Sequence, residues 1–84
     1  MSQGIRTPKQ LGVNVRANRK ELNKTQTEVA KRAGMKQKQV SMIEQGIEGV
    51  RLITLFKLLS AMGLEVVIRP KVKSKKSLKA LFDG

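Results

Sequence analysis

The chain has 84 residues and a formal net charge of +12, with 18 lysines and arginines against six acidic residues. It contains no cysteine and no histidine, which excludes disulfides, Cys/His zinc sites and histidine-based catalysis. This length predicts one domain with a small core, and the basic balance favours a polyanionic partner, with nucleic acid ahead of a membrane. No apolar run reaches the roughly 18 residues of a membrane span, and no signal-peptide pattern is present, so a cytoplasmic location is expected.

The remaining composition argues against an enzyme. The acidic residues are scattered and form no grouping suited to a carboxylate metal site or to acid–base catalysis, so we expect no catalytic residues, no metal and no cofactor. The aromatic residues are Phe56 and Phe82 alone, too few for the stacking on which single-stranded nucleic acid binders depend. Duplex DNA is therefore the favoured partner.

The first predicted element is a basic amphipathic helix that follows a mobile arm of residues 1–6. Thr7 has the character of an N-cap, and Pro8 occupies the first helical position, where its missing N–H costs nothing. The helix is expected to run to about Asn23. Its inward positions would be Leu11, Val15 and Leu22. Arg16 and Lys20, on the basic remainder of the helix, are candidates for phosphate contacts, although a solvated basic face is an equally good interpretation.

A second, shorter helix is predicted to begin after Thr25. Thr25 and Glu28 have the spacing of a capping box, in which each side chain satisfies a backbone N–H that an opening helix leaves unpaired. Gly34 stands where a helix C-terminus needs a residue that tolerates the left-handed conformation. The narrow apolar face of this helix would be Val29, Ala30 and Ala33.

Only Met35 and Lys36 separate this helix from a third, which is expected to end at Gly46 with Val40 and Ile43 inward. Two helices joined by so short a turn cross steeply, which is typical of a helix-turn-helix. The outward face would carry the side chains that read DNA bases, namely Lys36, Gln37, Lys38, Ser41 and Met42. Glutamine matches adenine, lysine donates to guanine, serine serves either, and a thioether can lie against a thymine methyl. A solvated polar helix surface is the alternative, but the capped partner helix and the positive charge disfavour it.

A fourth helix is predicted from Val50 to Met62, with a face apolar enough for the main core helix. That face comprises Leu52, Leu55, Phe56, Leu58, Leu59 and Met62. Arg51, at its start, is a further candidate for a phosphate contact. Gly63 is expected to end the helix.

Residues 64–70 alternate in the manner of a strand, with Leu64, Val66 and Ile68 on one face and Pro70 closing it. A lone strand has unpaired backbone groups, and no other stretch of the chain offers a partner strand. We therefore expect the same strand of a second copy to pair with it across a two-fold axis, giving a homodimer. The alternative is a strand packed on its own helices with edges wetted by solvent.

Residues 71–84 are expected to form a basic linker and a short tail. Lysines dominate residues 71–76, and the tail could form one capped turn. Its apolar side would be Leu78, Leu81 and Phe82. These three side chains suggest a docking peptide, although a frayed terminus or a turn folded on the body of the protein is an equally good interpretation.

The stretch from Thr25 to Gly46 resembles the Xre/Cro family of phage-repressor-type helix-turn-helix domains. The resemblance rests on Thr25-Gln26, Ala30, Ala33-Gly34, Val40-Ser41 and the run from Ile43 to Gly46, all at family spacing. It implies an all-α, lambda-repressor-like domain of four to five helices at residues 7–63, here followed by one C-terminal β-strand. It also implies that Gln26 and the neighbouring Thr25 lie at phosphate, as the N–H groups of a helix N-terminus favour, and that Arg19 and Glu44 form a structural ion pair. Lys24, Asn18 and Lys36 depart from the family pattern.

A domain of this kind followed directly by the strand at residues 64–70 is similar to the HipB-type antitoxins. That resemblance implies a repressor that binds an inverted-repeat operator as a dimer, neutralises a HipA-type serine/threonine kinase toxin and autoregulates its operon. The apolar tip of the tail would then be a toxin-docking site. The alternatives are a stand-alone regulator of the phage or restriction-modification type, without a toxin, and a packaging protein that binds all duplexes equally.

Overall fold

The protein is described by a computed structural model, which covers residues 4–70. Four α-helices make up its regular structure, and a short turn joins the second to the third. Their bounds are Pro8–Glu21 for α1, Gln26–Ala33 for α2, Gln37–Glu44 for α3 and Leu52–Ala61 for α4. The predicted linker and tail, with Leu78, Leu81 and Phe82, lie outside the described residues.

The predicted starts of α1 and α2 are confirmed by their caps. Thr7 Oγ1 accepts a hydrogen bond from the N–H of Gln10 at 3.0 Å, and Pro8 opens α1. At α2, Thr25 Oγ1 accepts from the N–H of Glu28 at 3.1 Å, while Glu28 Oε1 accepts from the N–H of Thr25 at 2.8 Å. Both halves of the capping box are therefore present. These bonds satisfy N–H groups that have no partner within a helix.

The turn between α2 and α3 depends on Gly34, which has φ +72° at the C-cap of α2. Residues with a Cβ rarely adopt this left-handed conformation, so glycine makes the reversal possible. The N–H of Met35 then donates to the carbonyl oxygen of Ala30 at 2.9 Å, which closes the end of α2. Lys36, directly after, has extended backbone and is the N-cap of α3.

All four helices contribute to the core, and α3 contacts each of the other three. The buried apolar side chains of the core are Val15, Val29, Ala30, Val40, Ile43, Leu58, Leu59 and Met62, and partly buried ones pack on their edge. At about 25 cal/mol per Å² of apolar surface removed from water, this cluster is the main source of stability in a domain of this size. Its small extent agrees with the limit that chain length sets.

Three apolar residues that the periodicity assigned to the core are exposed, and those predictions are wrong. Leu22 is 48% exposed, because α1 ends at Glu21 and Leu22 lies beyond its last turn. Leu52 and Phe56 are 67% and 43% exposed, whereas Leu58 and Leu59 on the same helix are buried. The helical period was correct, but among residues 4–70 no element covers the part of the α4 surface on which Leu52 and Phe56 lie.

Gly12 brings the backbones of α1 and α3 together. A Cβ at this position would lie 2.4 Å from the carbonyl oxygen of Glu44 and 2.5 Å from that of Ile43. Real Cβ atoms do not approach oxygen so closely, so only glycine permits the approach. The C-terminus of α3 is thereby held against the middle of α1.

The segment after α4 is not helical. Leu64 is partly buried against the core, and its N–H donates to the carbonyl oxygen of Leu59 at 2.8 Å. Val66, Val67 and Ile68 are 51%, 69% and 94% exposed. Within residues 4–70 no strand ladder forms. The predicted pairing is with a second copy, which a single chain does not include, so the strand remains a prediction.

Candidate nucleic-acid interface

The third helix has a buried face and an outward face, as the sequence predicted. Val40 and Ile43 are 0% and 4% exposed and fix α3 on the core. The five candidate base-reading residues lie on its remaining surface and at its N-cap. Lys36, Gln37 and Lys38 are exposed, and Ser41 and Met42 are half-buried.

A buried ion pair ties α3 to α1. Arg19 Nε donates to Glu44 Oε2 at 2.6 Å, and Arg19 Nη2 donates to Glu44 Oε1 at 3.1 Å. The two residues are only 8% and 9% exposed. Arg19 Nη1 also donates to the carbonyl oxygen of Lys24 at 2.8 Å, which secures the loop before α2. The pair that the family resemblance implied is thus present, with the bidentate geometry that favours arginine over lysine.

Gln26 continues this network from the ion pair to the recognition surface. Its Nε2 donates to Glu44 Oε1 at 3.0 Å, and its Oε1 accepts a hydrogen bond from Nε2 of Gln37. Gln37 and Glu44 are seven residues apart, which places them two turns apart on one side of α3, and Gln26 bridges that distance. A continuous chain of hydrogen bonds therefore runs from Arg19 through Glu44 and Gln26 to Gln37.

The charges of the network are stable near neutral pH. Burial raises the pKa of Glu44, but the hydrogen bonds from Arg19 and Gln26 and the positive charges of Arg19 and Arg16 outweigh burial, so its pKa lies below the ordinary value. The hydrogen bond to Glu44 raises the pKa of Arg19. Glu44 is therefore ionised and acts only as an acceptor.

The outer surface of α3 has one further internal bond. Gln45 Nε2 donates to Ser41 Oγ at 2.7 Å, which leaves the Ser41 hydroxyl hydrogen and the Gln45 carbonyl oxygen for other partners. Next to this bond, Met42 lines a shallow hollow with basic side chains around it. The lysines of that hollow are Lys31, Lys36 and Lys38.

The candidate phosphate residues lie on α1, at the start of α2 and at the N-cap of α4. Arg16, Lys20 and Arg51 are exposed. Arg16 is close enough to lower the pKa of Glu44 electrostatically, so its charge lies beside the network. Thr25 and Gln26 stand at the start of α2, where backbone N–H groups favour an anion. Bonds within the chain already orient both side chains.

Sequence reasoning missed the contact between Gln26 and Gln37 and the roles of Gly12 and Gln45. The glutamines were both singled out, but a bond across a turn depends on the crossing of two helices, which no local pattern specifies. Gly12 did carry a signal, since a glycine within a predicted helix is typical of close backbone approach. Gln45 follows Ser41 by four residues, a spacing at which side chains on a helix meet.

Residues 4–70 contain no group of acidic side chains that could hold a metal ion. In the same range, none of the helices has the length and hydropathy to cross a membrane.

Residues 15–68, more than half of the chain, match the family described as helix-turn-helix. The chain belongs to this family, and its fold is that of an Xre/Cro-type helix-turn-helix DNA-binding protein. A comparison with curated proteins gives no match.

Solved structures of HipB are similar to the chain over their whole length. A HipB–O2 20mer complex has 30% identity and a TM-score of 0.80, over 86% of this chain and 100% of that one. A HipA–HipB–O2–O3 complex has 31% identity and a TM-score of 0.80, over 84% and 100%. A HipB–O4 20mer complex has 31% identity and a TM-score of 0.79, again over 84% and 100%. These findings confirm the resemblance to HipB-type proteins.

Proposed function

We propose that the protein is a sequence-specific transcriptional repressor that binds an inverted-repeat operator as a homodimer. The observation that carries this proposal is the hydrogen-bonded chain from Arg19 to Gln37. This network holds the amide of Gln37, a candidate for base contacts, at the start of α3. The amide of Gln26, a candidate for a phosphate contact, lies beside it. A general packaging protein has no need of such fixed side chains, whereas direct readout of base edges depends on them.

The outward residues divide into two roles. Base contacts are assigned to Lys36, Gln37, Lys38, Ser41 and Met42, and backbone contacts to Thr25, Gln26, Arg16, Lys20 and Arg51. The first set occupies α3 and its N-cap, which in this fold enters the major groove. The second set lies on α1, at the start of α2 and at the N-cap of α4. Such contacts set orientation and overall affinity without reading sequence.

A pair of substitutions tests this division. Gln37→Ala should relax the choice of base at one position by roughly 1–3 kcal/mol, while Arg16→Ala should weaken binding to all duplexes alike and lower the salt dependence. Arg32→Ala is the matched control, because Arg32 is also an exposed arginine but lies beside Leu22 and Gly63, away from α3. Binding to selected and random duplexes should be measured at several salt concentrations. Equal affinity of the unmodified protein for all duplexes contradicts the proposal.

The homodimer is proposed to form through residues 64–70, paired antiparallel with the same residues of a second copy. Val66 and Ile68 expose apolar surface that a partner strand would cover. Two copies related by a two-fold axis place their α3 helices for half-sites ~34–36 Å apart.

Ile68→Asp should separate the dimer and reduce operator binding, because it puts a charged carboxylate into apolar surface that strand pairing would remove from water. Sedimentation or light scattering measures the association. Lys57→Asp is the control, because it also adds an aspartate, at an exposed position on α4. A variant that stays dimeric excludes this strand as the interface.

We further propose that the protein is an antitoxin that binds a HipA-like serine/threonine kinase and autoregulates its operon. Support comes from the extent of the similarity to HipB, which covers 100% of the HipB chain in the HipA–HipB–O2–O3 complex. Copurification from the native operon tests the partnership. A stand-alone regulator would bind the operator at full affinity, and no kinase would copurify with it.

The kinase contact is proposed to include the apolar tip of the tail, Leu78, Leu81 and Phe82. Ending the chain after Lys76 removes the tip and keeps the basic residues before it. The shortened chain should bind the operator unchanged and the kinase more weakly. Unchanged kinase affinity rules out the tail as the docking site.

A further inference from the structure

A groove of about 670 Å³ lies between the C-terminal ends of α1 and α4 and the adjoining side of α2. We propose that this end groove binds an acidic segment of another protein, through carboxylates and one large apolar side chain, while α3 stays free for DNA. No residue of α3 lines the groove. The inference adds a second interaction surface to the chain and depends neither on the operator nor on a kinase.

Part of the lining of the end groove is apolar. It includes Val29 and Met62, which are buried, and Leu22, which is 48% exposed. A single exposed leucine is ordinary on a protein surface. Leu22, however, shares a concave surface with two residues of the core, so an apolar side chain placed there would extend the hydrophobic core of the domain.

The rest of the lining is mainly basic. Lys24, Lys31 and Arg32 are exposed along it, and Glu28 is its acidic residue. The Glu28 carboxylate already accepts a hydrogen bond from the N–H of Thr25 at 2.8 Å. Its pKa is lowered mainly by its bonds with Thr25 and further by the charge of Lys24, so Glu28 offsets one of the cations. The charges of Lys31 and Arg32 remain, and they favour a negatively charged partner.

The combination of both kinds of lining favours a polypeptide over a nucleic acid. The side chains of Val29 and Met62 offer no hydrogen-bond donor to a phosphate, which would lose water there without compensation. A short polypeptide carries carboxylates and apolar side chains together, so it can contact the apolar and the basic lining at once. The apolar lining therefore distinguishes this groove from a surface that merely attracts polyanions.

This chain does not supply a suitable segment itself. Residues 71–84 contain five lysines and one aspartate, and a second copy has the same net charge of +12, so the basic lining repels both. The acidic residues nearest to each other in the sequence are Glu44 and Glu48, and Glu44 is buried in the ion pair with Arg19. The partner is therefore a different, acidic protein.

Peptide selection on the full-length protein tests the proposal. The protein is first saturated with duplex DNA, which covers the basic surface of α3, and is then mixed with a library of random peptides. Selected peptides should be rich in aspartate and glutamate around one large apolar residue. Replacing that apolar residue by alanine should weaken binding by roughly 5- to 30-fold.

Variants of the groove should weaken the same peptides. Leu22→Gln and Arg32→Glu should each raise the Kd by roughly 3- to 10-fold. Lys57→Glu is the matched control, because it changes the net charge as Arg32→Glu does, at an exposed position on α4 outside the groove. It should leave the Kd for the peptide nearly unchanged and should bind duplex DNA as Arg32→Glu does. If Leu22→Gln does not fold, Arg32→Glu and its control still decide the result.

Methyl NMR spectra of the full-length protein locate the bound peptide. Shifts of the Leu22 and Met62 signals support the end groove, whereas shifts confined to α3 overturn the inference. It is also overturned if the selected peptides lack acidic residues, if their alanine forms bind equally well, or if no peptide is selected. A single-stranded oligonucleotide that moves the same two signals would show that the groove takes nucleic acid instead.

Failure of the proposed DNA binding can be told apart from failure of this inference. A protein that binds no duplex DNA contradicts the proposed repressor function. Peptide selection on the free protein, followed by the same NMR measurement, would then still decide whether the end groove binds an acidic segment.

Discussion

Two regions of the molecule differ in how their side chains are satisfied: the junction of α1, α2 and α3, and the segment after α4. At the junction, Arg19, Glu44, Gln26 and Gln37 satisfy one another within a single chain, and in residues 4–70 no buried side-chain nitrogen or oxygen lacks a hydrogen bond. After α4, three consecutive apolar side chains face solvent, with Ile68 at 94%. The proposed DNA-binding surface is thus organised within one chain, whereas the proposed dimer surface would be completed by a second copy.

The largest expected effect follows from breaking the buried ion pair. Arg19→Ala leaves the Glu44 carboxylate buried without its main partner and should cost about 3–5 kcal/mol of unfolding free energy. Urea denaturation followed by circular dichroism measures it. Arg32→Ala, at an exposed arginine, should change stability by less than about 0.5 kcal/mol. If the two variants lose the same stability, the junction depends on packing and not on this pair.

Lowering the pH should reproduce part of this loss of unfolding free energy without a substitution. The folded pKa of Glu44 lies below the ordinary value of 4.5, so its stabilisation is fully present above that value and is lost as pH falls through the folded pKa. Glu28, whose pKa is lowered by its bonds with Thr25, contributes in the same direction. Denaturation midpoints should stay level near neutrality and fall in acid. In Glu44→Gln the fall should be shallower, and an identical acid profile would contradict the assignment.

The next largest loss of stability is expected from a steric clash between α1 and α3. An alanine at a helical glycine normally stabilises by about 0.5–1 kcal/mol, but at Gly12 the added carbon would meet the Glu44 carbonyl oxygen at 2.4 Å. Overpacking of this kind typically costs about 1–3 kcal/mol. Gly12→Ala should therefore lower the thermal midpoint. A raised midpoint would show that α1 and α3 separate without cost, and that their contact is looser than the structure has it.

The smallest effect is expected at the N-terminus of α2. Thr25→Ala removes the hydroxyl that accepts from the Glu28 N–H and should cost about 1 kcal/mol. Thr27→Ala, the same change at an exposed position two residues later, is the control and should be close to neutral. Because alanine is the better helix former, a loss in Thr27→Ala equal to that in Thr25→Ala would mean that the cap does not determine the result.

These magnitudes reflect which features a sequence specifies locally. The caps at Thr7 and Thr25 and the reversal at Gly34 are set within a few neighbouring residues, and all were predicted. The exposure of Leu22, Leu52 and Phe56 was not predicted, because an apolar stripe indicates a helix face but not whether another element covers it. The bond between Gln26 and Gln37 was missed for the same reason, since it depends on the angle at which two helices cross.

The candidate site also combines features that neighbouring residues specify with features that depend on tertiary structure. The outward side chains of α3 could be named from helical spacing alone, with Val40 and Ile43 fixing the inward direction. The Arg19–Glu44 pair joins residues 25 positions apart and was expected only through the family resemblance. The strand at residues 64–70 has its proposed partner in another molecule, so neither the sequence pattern nor a single folded chain contains the ladder itself.

The separation of inward and outward positions on α3 has a consequence for how such proteins diversify. Val40 and Ile43 hold the helix on the core, while Lys38 and Met42 contribute little to that attachment. Substitutions at the outer positions can therefore accumulate without unfolding the domain. A duplicated gene could acquire a new operator through a few such changes and stop competing with its parent.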